Sequence, residues 1–142
     1  MKFLITGGAG SVGHALTSSL LEKGHSVRIL DKKVDLLQSL GHKSLELIKG
    51  EIEDLSVVNG AVEGIDVIVH LAWSFSDDPI ELLASDLKGH LLLLDAAIAE
   101  KISNFFTPVP LLSMANPSNL LSPKKIHVWW KKQESLFMEL PN

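Results

Sequence analysis

The sequence predicts an α/β fold, a doubly wound sheet of about five parallel strands left incomplete at its C-terminal side. Three observations predict it. From Lys2 to Thr107, short apolar runs alternate with stretches of helical periodicity, and glycines punctuate the junctions. The apolar runs are continuous rather than alternating, as strands covered on both faces read. A length of 142 residues, 46% of them hydrophobic, allows one core and leaves no room for a second domain of any size.

Each element follows from local signals. Lys2-Phe3-Leu4-Ile5 reads as the first strand, and Val12 to Leu21 as a helix ended by Gly24-His25. Ser26-Val27-Arg28-Ile29-Leu30 is the second strand. Val34, Leu37 and Leu40 mark a short helix stopped by Gly41, and Leu45 to Ile48 a third strand. Asp54 is an N-cap type in front of a helix from Leu55 to Val62, which Gly64 closes. The β-branched run from Ile65 to Leu71 is the fourth strand. After a breaker-rich loop, Ser74 to Pro79, one long helix is predicted from about Ile80 to Ala99, then a fifth strand at Asn104 to Thr107. Strands joined by helices in this way make right-handed crossovers.

The turn after the first strand, Thr6-Gly7-Gly8-Ala9-Gly10-Ser11-Val12-Gly13, carries the chemistry. Gly7 permits a sharp reversal at a positive φ. Gly10, lacking a Cβ, lets the backbone approach a pyrophosphate, and Gly13 lets the new helix pack closely, with its positive end toward the phosphates. Glycine turns also join strands to helices in folds that bind nothing. The second element of a dinucleotide fingerprint is Asp31, at the end of the second strand and about 20 residues beyond the turn, where a carboxylate accepts the hydroxyls of an adenosine ribose. Asp31 repels a 2′-phosphate at short range, which favours NAD over NADP; Lys32 and Lys33 soften that repulsion.

These residues resemble the extended short-chain dehydrogenase/reductase family of NAD-dependent epimerases and dehydratases, whose N-terminal portion is a Rossmann domain. Thr6 to Gly13 is similar to that family's TGxxGxxG turn. Gly50-Glu51-Ile52-Glu53-Asp54 resembles its G-D-hydrophobic-x-D segment beside the adenine, and Val69-His70-Leu71-Ala72-Trp73 its V-x-H-L-A-A strand end by the nicotinamide ribose. Ser85 to His90, with Leu94 to Ala97, is similar to its N-V-x-G-T…L-L-x-A-A helix. The resemblance covers residues 1–107 and implies an NAD site built from Gly7, Gly10, Ser11, Val12, Gly13, Asp31, Lys32, Glu51, Ile52, Leu71, Ala72 and Trp73. A sugar nucleotide or other hydroxyl-bearing compound is the substrate class it implies.

The departures from the family pattern are as informative. Glu51 replaces the usual Asp, Trp73 a small residue, and Asp86 the usual Asn. The family's acid–base step uses a Tyr-x-x-x-Lys pair, and this chain has no tyrosine. Residues 108–142 form a divergent tail, assigned to the same domain, with prolines at 108, 110, 117 and 123 and one amphipathic helix from about Pro123 to Leu140. Within that helix His127 and Lys131 have the same spacing as the missing pair, with Ser113 a weaker hydroxyl candidate before them.

The expectation is therefore an NAD-binding protein without the usual Tyr-Lys catalysis, a truncated, spliced or decayed relative. One alternative is an active oxidoreductase or epimerase completed by a partner chain or by His127 and Lys131. Another is a structural protein in which Trp73 fills the groove. The absence of cysteine excludes disulfides and thiolate metal sites, and six histidines without i, i+4 pairing argue against zinc. A net charge of -4 without a basic cluster argues against nucleic acid. No apolar run is long enough to span a bilayer, so a cytoplasmic protein is expected. The open sheet edge and the tryptophan-bearing helix favour a homodimer.

Overall fold

The computed structural model describes residues 1–74 and 78–107. Five strands form one parallel sheet: β1 (Lys2–Thr6), β2 (Ser26–Asp31), β3 (Leu45–Lys49), β4 (Val67–His70) and β5 (Asn104–Phe106), in the order β3-β2-β1-β4-β5. β1 is central, with Leu4 between Arg28 and Ile68 in register. The chain winds outward from β1 through β2 to β3, then returns to the other side of β1 as β4. That reversal is the topological switch point, and it leaves a crevice at the C-terminal strand ends. The described residues belong to one compact unit, Met1–Pro108. The tail readings, including the helix at 123–140, Ser113, His127 and Lys131, lie outside the described residues.

The crossovers are α1 (Ser11–Glu22), α2 (Leu55–Val62), α3 (Pro79–Leu82) and α4 (Gly89–Ala99). Leu4, Ile5, Ile29, Leu30 and Ile68 are almost fully buried, as a sheet covered on both faces requires. Against one face pack Val58, Ala61 and Val62 of α2 with Leu93, Ala96 and Ala97 of α4. Asp54 caps α2 as expected, its Oδ1 accepting the N–H groups of Ser56 and Val57 at 2.8 and 3.3 Å. Gly50 and Gly89 admit branched neighbours: a Cβ on Gly50 would lie 2.6 Å from Val57 Cγ1, and one on Gly89 2.5 Å from Ile52 Cδ1.

Two elements differ from the sequence reading, and the short helix expected at Val34–Leu40 is of the 3-10 type. Its apolar positions recur every three residues, the 3-10 period, with Val34 and Leu37 buried. β4 is shorter than the apolar run, because Ile65 N still donates to Val62 O at 3.2 Å, closing the turn after α2. The long helix is not uniform. Asp78 Oδ1 accepts Ile80 N at 2.8 Å and Pro79 opens α3, but Leu83–Lys88 widens into a π-helical turn before α4. The apolar period carries no mark of such a bulge.

One buried charge was not legible as such. Arg28, inside β2, is 8% exposed. Its Nη1 faces the carbonyls of Gly60, Ala61 and Glu63 at 3.2, 2.8 and 2.8 Å, and its Nε donates to Glu46 Oε2 at 2.8 Å. The guanidinium closes the C-terminal end of α2, where unpaired carbonyls carry the negative end of the helix dipole.

Candidate dinucleotide cleft

The crevice at the switch point is a cleft of about 260 Å³. Eight residues expected from the sequence line it: Gly7, Gly10, Asp31, Lys32, Ile52, Leu71, Ala72 and Trp73. Leu30, Lys33 and Gly50 complete the wall. All three adjoin expected residues at strand ends, and that adjacency was the available signal.

Each turn glycine has its own reason. Gly7 has φ +70, and a Cβ on it would lie 2.6 Å from Ala72 N, so the turn needs glycine for both conformation and space. A Cβ on Gly13 would lie 2.6 Å from Gly8 Cα and 2.7 Å from Gly7 O. Gly13 thus packs α1 against the turn itself. A Cβ on Gly8 would run into Ile29 Cγ2 at 2.5 Å. Gly10 is different: a Cβ there would meet Gly7 O at 3.4 Å, ordinary contact. The protein's own packing does not demand glycine at position 10, and the bare backbone faces the cleft.

Ser11, Val12, Gly13 and Glu51 do not reach the wall. Ser11 and Val12 turn their side chains to solvent at the start of α1, and Gly13 is buried beneath the turn. What they offer is backbone: no side chain caps α1, so its first-turn N–H groups are open to an anion. Glu51 stands at the rim, its Oε1 3.5 Å from Lys32 Nζ, with both side chains more than half exposed.

Asp31 is fixed on both oxygens. Oδ2 accepts Ala9 N at 2.9 Å and Oδ1 accepts Lys33 N at 2.8 Å. The first bond ties the end of β2 to the glycine turn. Each carboxylate oxygen retains a lone pair for a ligand hydroxyl.

At the other end, a buried polar group supports the floor. Thr6 Oγ1 accepts Ala72 N at 3.3 Å and lies 2.6 Å from His70 Nδ1. His70 is 2% exposed, packed 5.0 Å from the His90 ring, and its Nε2 has no partner. Burial, with the His90 ring adding to it, pushes His70 down to about 4. The unfolded chain takes up this proton near pH 6.5 while the folded protein refuses it, so the contribution is full above that pH. As the pH falls from 6.5 to 4, about 3 kcal/mol of stability is lost through this group. Urea unfolding at steps between pH 7 and 4.5 reads that slope. An unchanged slope in a His70→Asn variant would assign the loss to other groups.

Among the described residues, no cluster of His, Asp or Glu is placed to hold a metal ion, and no helix is long and apolar enough to cross a membrane.

A model of the NAD dependent epimerase/dehydratase family matches residues 3–108. The chain belongs to that family. A 3 beta-hydroxysteroid dehydrogenase/Delta 5-->4-isomerase of Mycobacterium tuberculosis is 46% identical over 71 residues, 50% of this chain and 19% of that protein. A short-chain dehydrogenase/reductase superfamily protein of Agrobacterium tumefaciens, with bound NAD, superposes with a TM-score of 0.66 at 30% identity, over 75% of this chain and 32% of its own. Thermus thermophilus UDP-glucose 4-epimerase, in complex with NAD, gives a TM-score of 0.66 at 26% identity, over 74% and 36%. The chain thus spans about a third or less of these proteins' length.

Two family departures have visible settings. Asp86 sits in the π-helical turn, 8% exposed, where Oδ1 accepts Ser74 N at 2.7 Å and Oδ2 is buried without a partner. It therefore holds the chain leaving β4. Trp73 lines the cleft mouth and is 42% exposed, so the groove stays open beside it.

Proposed function

We propose that this chain is the dinucleotide-binding portion of an epimerase/dehydratase-type protein, that it binds NAD in the cleft, and that it does not turn over by Tyr-Lys chemistry. Gly10 carries the reading, because the fold does not require glycine there and its bare backbone lines the cleft. In the proposed pose the pyrophosphate lies on Gly10 and the first turn of α1. The adenosine ribose reaches Asp31, the adenine lies by Ile52, and the nicotinamide half passes Leu71, Ala72 and Trp73. NAD would supply hydride chemistry; these residues bind and orient it.

Support also comes from the likeness to a 3 beta-hydroxysteroid dehydrogenase/Delta 5-->4-isomerase and to a UDP-glucose 4-epimerase. Proteins so different in substrate share this segment, as expected of a cofactor portion with the substrate chosen elsewhere. A nucleotide sugar is the substrate class proposed for the whole protein, by likeness to the epimerase. These 142 residues hold no tyrosine, so they do not themselves supply the Tyr-Lys pair. A cytoplasmic site of action fits the composition. Pairing with a second copy is supported by Leu91 and Ile98, two helical turns apart on α4 and 51% and 74% exposed.

Calorimetric titration with NAD and NADP, followed by thermal melting, tests the reading. Saturable NAD binding with a raised Tm is expected, tighter than NADP. No binding of either nucleotide, or tighter NADP, would overturn it.

A further inference from the structure

We propose that Glu51 sets the coenzyme selectivity of this cleft by holding Lys32 away from the position an adenosine 2′-phosphate would occupy. The inference rests on the reading that a dinucleotide lies in the cleft with its ribose on Asp31.

Three observations lead to it. First, Asp31 does not swing aside for an incoming phosphate, because Ala9 N holds one oxygen and Lys33 N the other. A fixed carboxylate leaves selectivity to the charges around it. Second, Lys32 and Lys33 both line the cleft directly after Asp31, and two ammonium groups there would offset the repulsion of a 2′-phosphate. On Asp31 alone the site rejects the phosphate; with both lysines available it would not. Third, Glu51 engages Lys32 at 3.5 Å from outside the wall. It adds a second carboxylate near the end of β2 and pairs with the Lys32 ammonium, which otherwise serves the cleft. The four charges, Asp31 and Glu51 against Lys32 and Lys33, then cancel. Without Glu51 the balance is one positive charge, and Lys32 is released to the phosphate.

Glu51 is a positioning residue in this account, acting through Lys32. An exposed ion pair contributes little to folding. Its effect on a charged ligand is larger, because one unit charge at the edge of a site alters affinity severalfold at moderate salt.

The test is titration of the purified chain and three variants, Glu51→Gln, Lys32→Met and the double variant, with NAD and NADP at low and physiological salt. Glu51→Gln is expected to raise the NADP-to-NAD affinity ratio about fivefold to tenfold, more at low salt. In the double variant the gain is expected to vanish, since no released lysine remains. A ratio unmoved by Glu51→Gln, or a gain that survives loss of Lys32, would overturn the inference while leaving NAD binding intact. A parent chain that binds neither nucleotide would instead overturn the dinucleotide reading, and this inference with it.

Discussion

Replacing Arg28 with Met is expected to cost about 3 kcal/mol of folding stability, a large share of what a domain of this size has. Met keeps most of the aliphatic stem and removes the guanidinium. Three carbonyls at the end of α2 then lose the Nη1 donor that faces them, in a place where Arg28 itself is 8% exposed. The buried Ala61 carbonyl and the part-buried carbonyls of Gly60 and Glu63 account for that figure together, at about 1 kcal/mol each. The partner Glu46 adds little, because its side chain is 48% exposed and Lys2 Nζ lies 3.3 Å away to share it. Lys2→Met, which removes only that exposed pair, is therefore expected to cost under about 1 kcal/mol. Urea denaturation of the two variants separates the effects. Equal losses would mean that the carbonyls find water and that Arg28 acts as an ordinary surface ion-pair donor.

Gly10→Val is expected to abolish NAD binding, by more than about a hundredfold in affinity, while leaving the melting temperature of the free protein nearly unchanged. Gly10 has φ -71 and ψ 164, an extended conformation that a β-branched residue adopts readily. The added Cβ meets Gly7 O at 3.4 Å, so the free protein tolerates it. The ligand does not, because the valine methyls occupy the space against which a pyrophosphate must lie. Gly13→Ala has the opposite signature: its Cβ would lie 2.6 Å from Gly8 Cα, so stability falls before binding is measured. Calorimetry and thermal melting of both variants discriminate between them. Unaltered NAD affinity in Gly10→Val would move the dinucleotide out of this cleft.

Much of this was legible in the sequence because its signals are local. The alternation of apolar runs, the spacing of Gly7, Gly10 and Gly13, and Asp31 at a strand end each specify geometry within a few residues. The short helix at Val34–Leu40 was legible too, and its apolar spacing of three accords with its 3-10 form. What escaped depends on distant parts of the chain. Arg28 reads as an interruption in an apolar strand, and its burial becomes evident only when the end of α2, 32 to 35 residues later, lies over it. His70 reads as a motif letter; its burial depends on α4 bringing His90 and on β5 bringing Phe105 beside it. The pairing of Glu51 with Lys32 likewise depends on the turn after β3, which brings it beside the residue following β2.

The three close fits at Gly8 with Ile29, Gly50 with Val57, and Gly89 with Ile52 also bear on how this sequence can drift. In each pair one position carries no side chain and the other, a branched aliphatic, occupies the space beside it. A larger residue on the glycine side is accommodated only after the aliphatic has shrunk, and a shrunken aliphatic alone leaves a void. Change at these positions must therefore arrive in pairs and in a fixed order, which holds the backbone around the cleft still while single-site variation proceeds elsewhere.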